Sequence, residues 1–133
     1  MPARILVIED DPNTLELMTY LLTAFGHNPL TAGNGVAGMS LASAERPDLI
    51  VCDIQLPELD GYGVARALAE DPRLSDIPVI AITALAMVGD RERILAAGFD
   101  GYMSKPIVPE TFVDQLDHYL PPALHARRPE MRK

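Results

Sequence analysis

Four short apolar runs each end in a polar residue, and this repetition constrains the fold of the 133-residue chain more than any other feature. Ile5-Leu6-Val7-Ile8 runs into Glu9-Asp10-Asp11, and Leu49-Ile50-Val51-Cys52 into Asp53. Val79-Ile80-Ala81-Ile82 runs into Thr83, and Tyr102-Met103-Ser104 into Lys105-Pro106. Short, nearly continuous apolar runs read as strands buried on both faces, the signature of a parallel sheet. If the four are parallel, their polar ends meet at one edge. That edge would hold a carboxylate cluster, a hydroxyl and a lysine, a set suited to a divalent cation and a phosphoryl group.

Amphipathic stretches separate the runs. After Asp11-Pro12, an N-cap with proline at the first helical position, Leu15, Met18, Leu21, Leu22 and Phe25 recur at helical spacing, and Gly26 closes the helix. Asn28 to Ala32 reads as a weaker strand and Val36 to Ala44 as a helix of small residues. A helix follows Asp60-Gly61 and ends at Asp71-Pro72, because the residue before proline resists helical geometry. A short helix is expected from about Gly89 to Ala97, stopped by Gly98. A last one is expected from Pro109-Glu110 to Pro121-Pro122, carrying Phe112, Val113, Leu116 and Tyr119. Five strand–helix units predict an α/β fold, a parallel sheet covered on both faces with right-handed crossovers. Sites in such sheets lie beyond the carboxyl ends of the strands, where strand order reverses.

Composition narrows the function. The hydrophobic fraction of 48% supports a real core. No apolar run approaches the roughly 18 residues of a membrane span, and Met1-Pro2-Ala3-Arg4 leads straight into a strand, so neither a membrane anchor nor a signal peptide is expected. Cys52 is the sole cysteine, which removes an internal disulfide or a cysteine-rich zinc site. The expected compartment is the cytoplasm. The net charge of −8 disfavours nucleic-acid binding. Residues 124–133 carry +3 through Arg127, Arg128, Arg132 and Lys133 against Glu130, leaving −11 on the rest. Residues 1–122 are expected to form the domain and 123–133 a basic, flexible tail.

Glu9, Asp10 and Asp53 held together would repel, and a divalent cation removes that conflict. Mg²⁺ favours few carboxylates, several waters and a phosphate oxygen. A carboxylate can also act as a nucleophile and become an aspartyl-phosphate. Catalysis then rests on position and charge neutralisation, for which Lys105 supplies a cation and Thr83 a hydroxyl.

Those motifs, with Leu56-Pro57, Asp60-Gly61 and Ile82-Thr83-Ala84, resemble the response-regulator receiver domain over residues 3–120. The resemblance implies a three-layer α-β-α, flavodoxin-like fold with strand order 2-1-3-4-5. It implies that Asp53 accepts phosphate from a sensor histidine kinase or a histidine phosphotransfer protein. Glu9, Asp10, Asp53 and the backbone carbonyl of Gln55 would hold Mg²⁺, with Mn²⁺ as a substitute; Asp10 would ligate directly and Glu9 through water. Thr83 and Lys105 would contact the phosphoryl oxygens, Thr83 and Tyr102 would form the switch, and Gln55 and Leu85 would tune the slow loss of phosphate. Lys105-Pro106 is expected to be cis. With nothing but the short tail beyond the last helix, the chain resembles a stand-alone receiver of the CheY or DivK type. Such a protein is a switch rather than an enzyme. It signals through its fourth helix, fifth strand and last helix to a separate effector, as a monomer or a weak phosphorylation-dependent dimer, without contacting nucleic acid or membrane.

Two other functions compete. A receiver-fold module could bind partners without phosphorylation, but degenerate receivers usually lose an acid or the lysine that this chain keeps. An aspartyl-phosphate hydrolase would want a second acid where Gln55 stands. Gly33-Asn34-Gly35-Val36-Ala37-Gly38 matches the dinucleotide-binding glycine pattern, with Asp53 at the expected distance. It follows a poor strand, however, and leaves Asp10, Thr83 and Lys105 unexplained, so it reads as a glycine-rich turn. Asp11 is taken as a helix cap and Cys52 as a small buried residue. Met18 has two readings, core packing or a kinase-facing surface. His27, His118 and His125 lack metal-ligand spacing.

Overall fold

The computed structural model describes residues 3–84 and 90–125. Leu85 and the basic residues at 127, 128, 132 and 133 lie outside them, as does the expected helix start at Gly89.

Five strands form, β1 (Arg4–Ile8), β2 (Asn28–Ala32), β3 (Leu49–Asp53), β4 (Val79–Thr83) and β5 (Gly101–Ser104). All neighbouring pairs are parallel and the order is β2-β1-β3-β4-β5. Every residue of β3 and β4 is buried, which is why those runs are apolar without alternation. The weaker run forms the edge strand β2, half exposed. Pro29 is tolerated there because an edge strand has one side that needs no donor.

The two-residue period of the strands splits the core into two layers. Leu6, Ile8, Ile50, Cys52 and Ala81 face one way, toward α2 (Gly35–Glu45), α3 (Gly61–Glu70) and α4 (Asp90–Ala96). Ile5, Val7, Val51, Ile80 and Ile82 face the other way, toward α1 (Pro12–Ala24) and α5 (Phe112–Asp117). Each fully buried Ile, Leu or Val contributes about 1.5–3 kcal/mol, so these layers supply most of the driving force. Met18 is completely buried in the second layer, which resolves its two readings in favour of core packing.

The expected helix boundaries hold for α1 to α3. Asp11, Asn34 and Asp60 each accept a hydrogen bond from the backbone N–H three residues on, capping the three helices. Gly26 adopts a φ of 88° after α1, and Gly98 a φ of 112° after α4. The last helix is shorter than its apolar spacing suggests. Thr111 gives no side-chain cap, and i→i+3 bonds from Thr111 to Val108 and from Tyr119 to Leu116 stand beside the i→i+4 bonds at its ends. Phe112, Val113 and Leu116 are still buried as expected.

Candidate functional site at the carboxyl edge of the sheet

Register explains how distant residues meet. Ile8 pairs with Cys52, so Glu9 falls level with Asp53. Asp53 pairs with Ile82, and Thr83 with Ser104. The Lys105 N–H donates to the Thr83 carbonyl at 2.8 Å, carrying the ladder one step further. The Lys105–Pro106 bond is cis, as expected.

Glu9, Asp10 and Asp53 each offer a carboxylate oxygen, and these oxygens lie within 4.8 Å of one another. Glu9 and Asp53 are buried while Asp10 is exposed. Asp53 Oδ1 accepts the Gln55 N–H at 3.0 Å and Oδ2 accepts Lys105 Nζ at 3.0 Å. Glu9 Oε2 accepts the Asp11 N–H at 3.1 Å. Its other oxygen, Oε1, is buried without a hydrogen bond. Lys105 Nζ stands 3.4 Å away from it, an ion pair lacking hydrogen-bond geometry. An acidic cluster with an orphaned buried oxygen fits a hard cation that prefers oxygen ligands.

The electrostatics agree. Burial, with the Asp53 charge adding to it, pushes Glu9 up to about 7 against the pull of the Asp11 N–H and Lys105. Burial works against the Lys105 ammonium, but the hydrogen bond and charge of Asp53, with Glu9 beside it, hold its pKa above the usual lysine value. Cys52 is raised far above the thiol range by burial and by the neighbouring Asp53; its S–H donates to the Asp53 carbonyl, so it is a packing residue and not a nucleophile. Asp11 is lowered by the hydroxyl and N–H of Thr14, the mark of a helix cap.

Five residues singled out in the sequence therefore converge: Glu9, Asp10, Asp53, Thr83 and Lys105. Thr83 is buried at its strand end. Gln55 is exposed beside Asp53, and Tyr102 is half-buried on β5. Two of the three glycines at 33–38 are required by packing. A Cβ at Gly35 would collide with the Leu59 carbonyl, and one at Gly38 with Ile8. Those collisions explain Gly35 and Gly38 without a nucleotide; at Gly33 a Cβ would meet open space.

Sequence reasoning missed His27. It is buried, its Nδ1 accepts the Ala3 N–H at 3.2 Å, and its Nε2 lies 3.2 Å from Asp117 on α5. Its partner is 90 positions away, so no local signal marks it.

Known proteins share this fold. The family model "Response regulator receiver domain" matches residues 5–117. The polar-differentiation response regulator DivK of Brucella anthropi is 42% identical over 120 residues, covering 90% of this chain and 98% of that protein. Among solved structures, the receiver domain of a sensor histidine kinase from Pseudomonas aeruginosa is 31% identical with a TM-score of 0.82, covering 90% of this chain and 98% of that one. That structure holds a magnesium ion in its active-site cleft. The chemotaxis response regulator CheY4 of Vibrio cholerae, 23% identical and covering 90% of this chain and 100% of that one, shares the fold with a TM-score of 0.86. No helix among the described residues is long and apolar enough to cross a membrane. By fold, by acidic cluster and by family match, the chain belongs to the response regulator receiver family, the signalling switches of two-component systems.

Proposed function

We propose that Asp53 is the phosphoacceptor and that the chain works as a phosphorylation-dependent switch. The observation that carries this reading is the contact of Lys105 Nζ with Asp53 Oδ2 at 3.0 Å, beside two further carboxylates. The donor is a phosphohistidine on a sensor histidine kinase or a histidine phosphotransfer protein. An Asp53 oxygen attacks phosphorus, the P–N bond breaks, and the imidazole leaves with the electron pair. Glu9, Asp10, Asp53 and the Gln55 carbonyl form the Mg²⁺ or Mn²⁺ site. A cation there neutralises charge on the acceptor and on the transferred group. Lys105 holds a phosphoryl oxygen, and Thr83 donates its hydroxyl to another. Thr83 moves toward the phosphate, and Tyr102 turns inward behind it.

That local movement biases a two-state surface formed by α4, β5 and α5. A separate effector protein reads it in the cytoplasm, without nucleic acid or membrane. The chain acts as a monomer or a weak phosphorylation-dependent dimer. Dephosphorylation is slow and intrinsic; Gln55 and Leu85 set its rate. Gln55 cannot serve as the acid/base of a hydrolase, which favours a switch over an enzyme with turnover.

Intact-mass measurement tests the reading. With Mg²⁺ and a small phosphodonor, the chain should gain one acid-labile phosphate. The gain should vanish in Asp53→Asn and in chelator. No gain under any condition would replace this reading with a phosphorylation-independent binding module.

A further inference from the structure

A cleft of about 580 Å³ opens beyond Asp53. Asp10, Gln55 and Thr83, which stand beside the acidic cluster or Asp53, line it together with Pro57, Tyr62 and Arg93. Arg93 comes from α4 and shares this cleft with the strand-end residues Asp10 and Thr83. Its guanidinium carbon stands 5.2 Å from the centre of the Tyr62 ring. Phe99 braces that ring edge-on at 6.4 Å. An exposed arginine stacked on a braced aromatic is held in place rather than sampling solvent freely. Among the described residues, the other charged groups lining this cleft are the acids Asp10 and Asp60.

We propose that Arg93 is the leaving-group contact for a small acyl phosphate, an inference that rests on Asp53 being the phosphoacceptor. In phosphoryl transfer the attacking and leaving oxygens lie roughly in line across phosphorus. With Asp53 as the attacking group, the leaving group departs away from it, into the cleft that Arg93 lines. For an acyl phosphate the new bond joins an Asp53 oxygen to phosphorus, and the bond from phosphorus to the acyl oxygen breaks. The carboxylate leaves with the electron pair, and no proton is required. Negative charge thus develops on a planar carboxylate, the shape that a guanidinium fork binds through two parallel hydrogen bonds. Lys105 is engaged by Asp53 and Glu9 and does not line this cleft, whereas Arg93 does. Phosphoramidate makes the contrast. Its zwitterion transfers the same phosphoryl group, but ammonia leaves neutral and gives the guanidinium nothing to hold.

The test compares second-order rate constants for phosphorylation of Asp53 by acetyl phosphate and by phosphoramidate. Arg93→Gln should lower the acetyl phosphate rate about fivefold, the size of one partly exposed charge contact. It should leave the phosphoramidate rate within about twofold, a difference too small to represent a lost charge contact. Arg93→Lys should recover part of the loss, since it keeps the charge without the fork. Arg73→Gln removes an exposed arginine paired with Asp71 and controls for net charge. Equal losses with both donors, no loss with either, or an equal acetyl phosphate loss in Arg73→Gln would each overturn the role of Arg93. A wild-type chain that accepts phosphate from neither donor would overturn the phosphoacceptor reading together with it. One that uses phosphoramidate alone would overturn the acyl phosphate role and keep the switch.

Discussion

The two edges of the sheet use the same side chain to opposite ends. At the amino edge, Asp48 and Asp100 each stand one residue before a strand and clamp the adjacent strand at two points. The Asp48 N–H donates to the Arg4 carbonyl and its Oδ2 accepts the Arg4 N–H, both at 2.8 Å. Asp100 repeats the pattern on Val79, again at 2.8 Å twice. At the carboxyl edge, Glu9, Asp10 and Asp53 converge on one another, with a single lysine between two of them and one buried oxygen left without a hydrogen bond. An acid matched to backbone donors stabilises a fold. Acids crowded together cost stability and are kept for what they can bind. The sheet is fastened at one edge and chemically loaded at the other.

The largest effect should come from the fastened edge. His27→Ala removes a buried ring, the acceptor of the Ala3 N–H and the link to Asp117 on α5. Urea unfolding should show a loss of about 3 kcal/mol, combining a cavity with a stranded N–H. Mg²⁺ affinity should not change; a large change would mean that the two edges are coupled. Asp48→Ala and Asp100→Ala should each cost about 1–2 kcal/mol by stranding one backbone N–H, again with metal binding intact. A neutral outcome for either would show that water replaces the carboxylate and that the clamp is incidental.

How much of this was legible in the sequence follows from the physics of each contact. The loaded edge was readable because a parallel sheet brings strand ends together automatically. Once Glu9, Asp53, Thr83 and Lys105 were seen to end apolar runs, their meeting needed no further information. Asp11 was readable as a cap because capping is local. The fastened edge was opaque. Asp48 and Asp100 precede strands, but nothing local says which neighbour they grip. His27 depends on a partner 90 positions away. The shortness of α5 was hidden because apolar spacing reports which positions touch the sheet, and Phe112, Val113 and Leu116 do so whether or not the backbone bonds beyond them stay regular. Arg93 is part of a helix that the spacing predicts, yet its position over Tyr62 is set by how α3 and α4 pack.

Acid–base titration sharpens the contrast without changing the core. In the metal-free chain, Glu9 titrates at about 7 when folded, against 4.5 as the ordinary value. Between those values the folded chain holds a proton that the unfolded chain has released. Its stabilising contribution is complete below pH 4.5 and is lost as pH rises through 7. Urea midpoints in chelator should therefore fall across that window. Glu9→Gln should flatten this part of the slope, whereas Asp48→Asn should leave it in place. If Glu9→Gln keeps the full slope, the charge conflict at the carboxyl edge lies elsewhere.

The smallest effect is the most discriminating, because it predicts opposite signs for two properties of one variant. Asp10 is exposed and lies in the acidic cluster. Asp10→Asn removes one repelling charge while leaving an amide of nearly the same shape. The metal-free chain should gain about 0.5 kcal/mol, the scale of an exposed charge contact. Mg²⁺ binding, followed by calorimetry, should weaken about tenfold or more, since an amide oxygen is a poorer ligand for a hard cation than a carboxylate. Stability and affinity moving in opposite directions would mark Asp10 as retained for binding at the expense of the fold. A loss of stability would place it with Asp48 and Asp100, as a structural acid that happens to stand near the site.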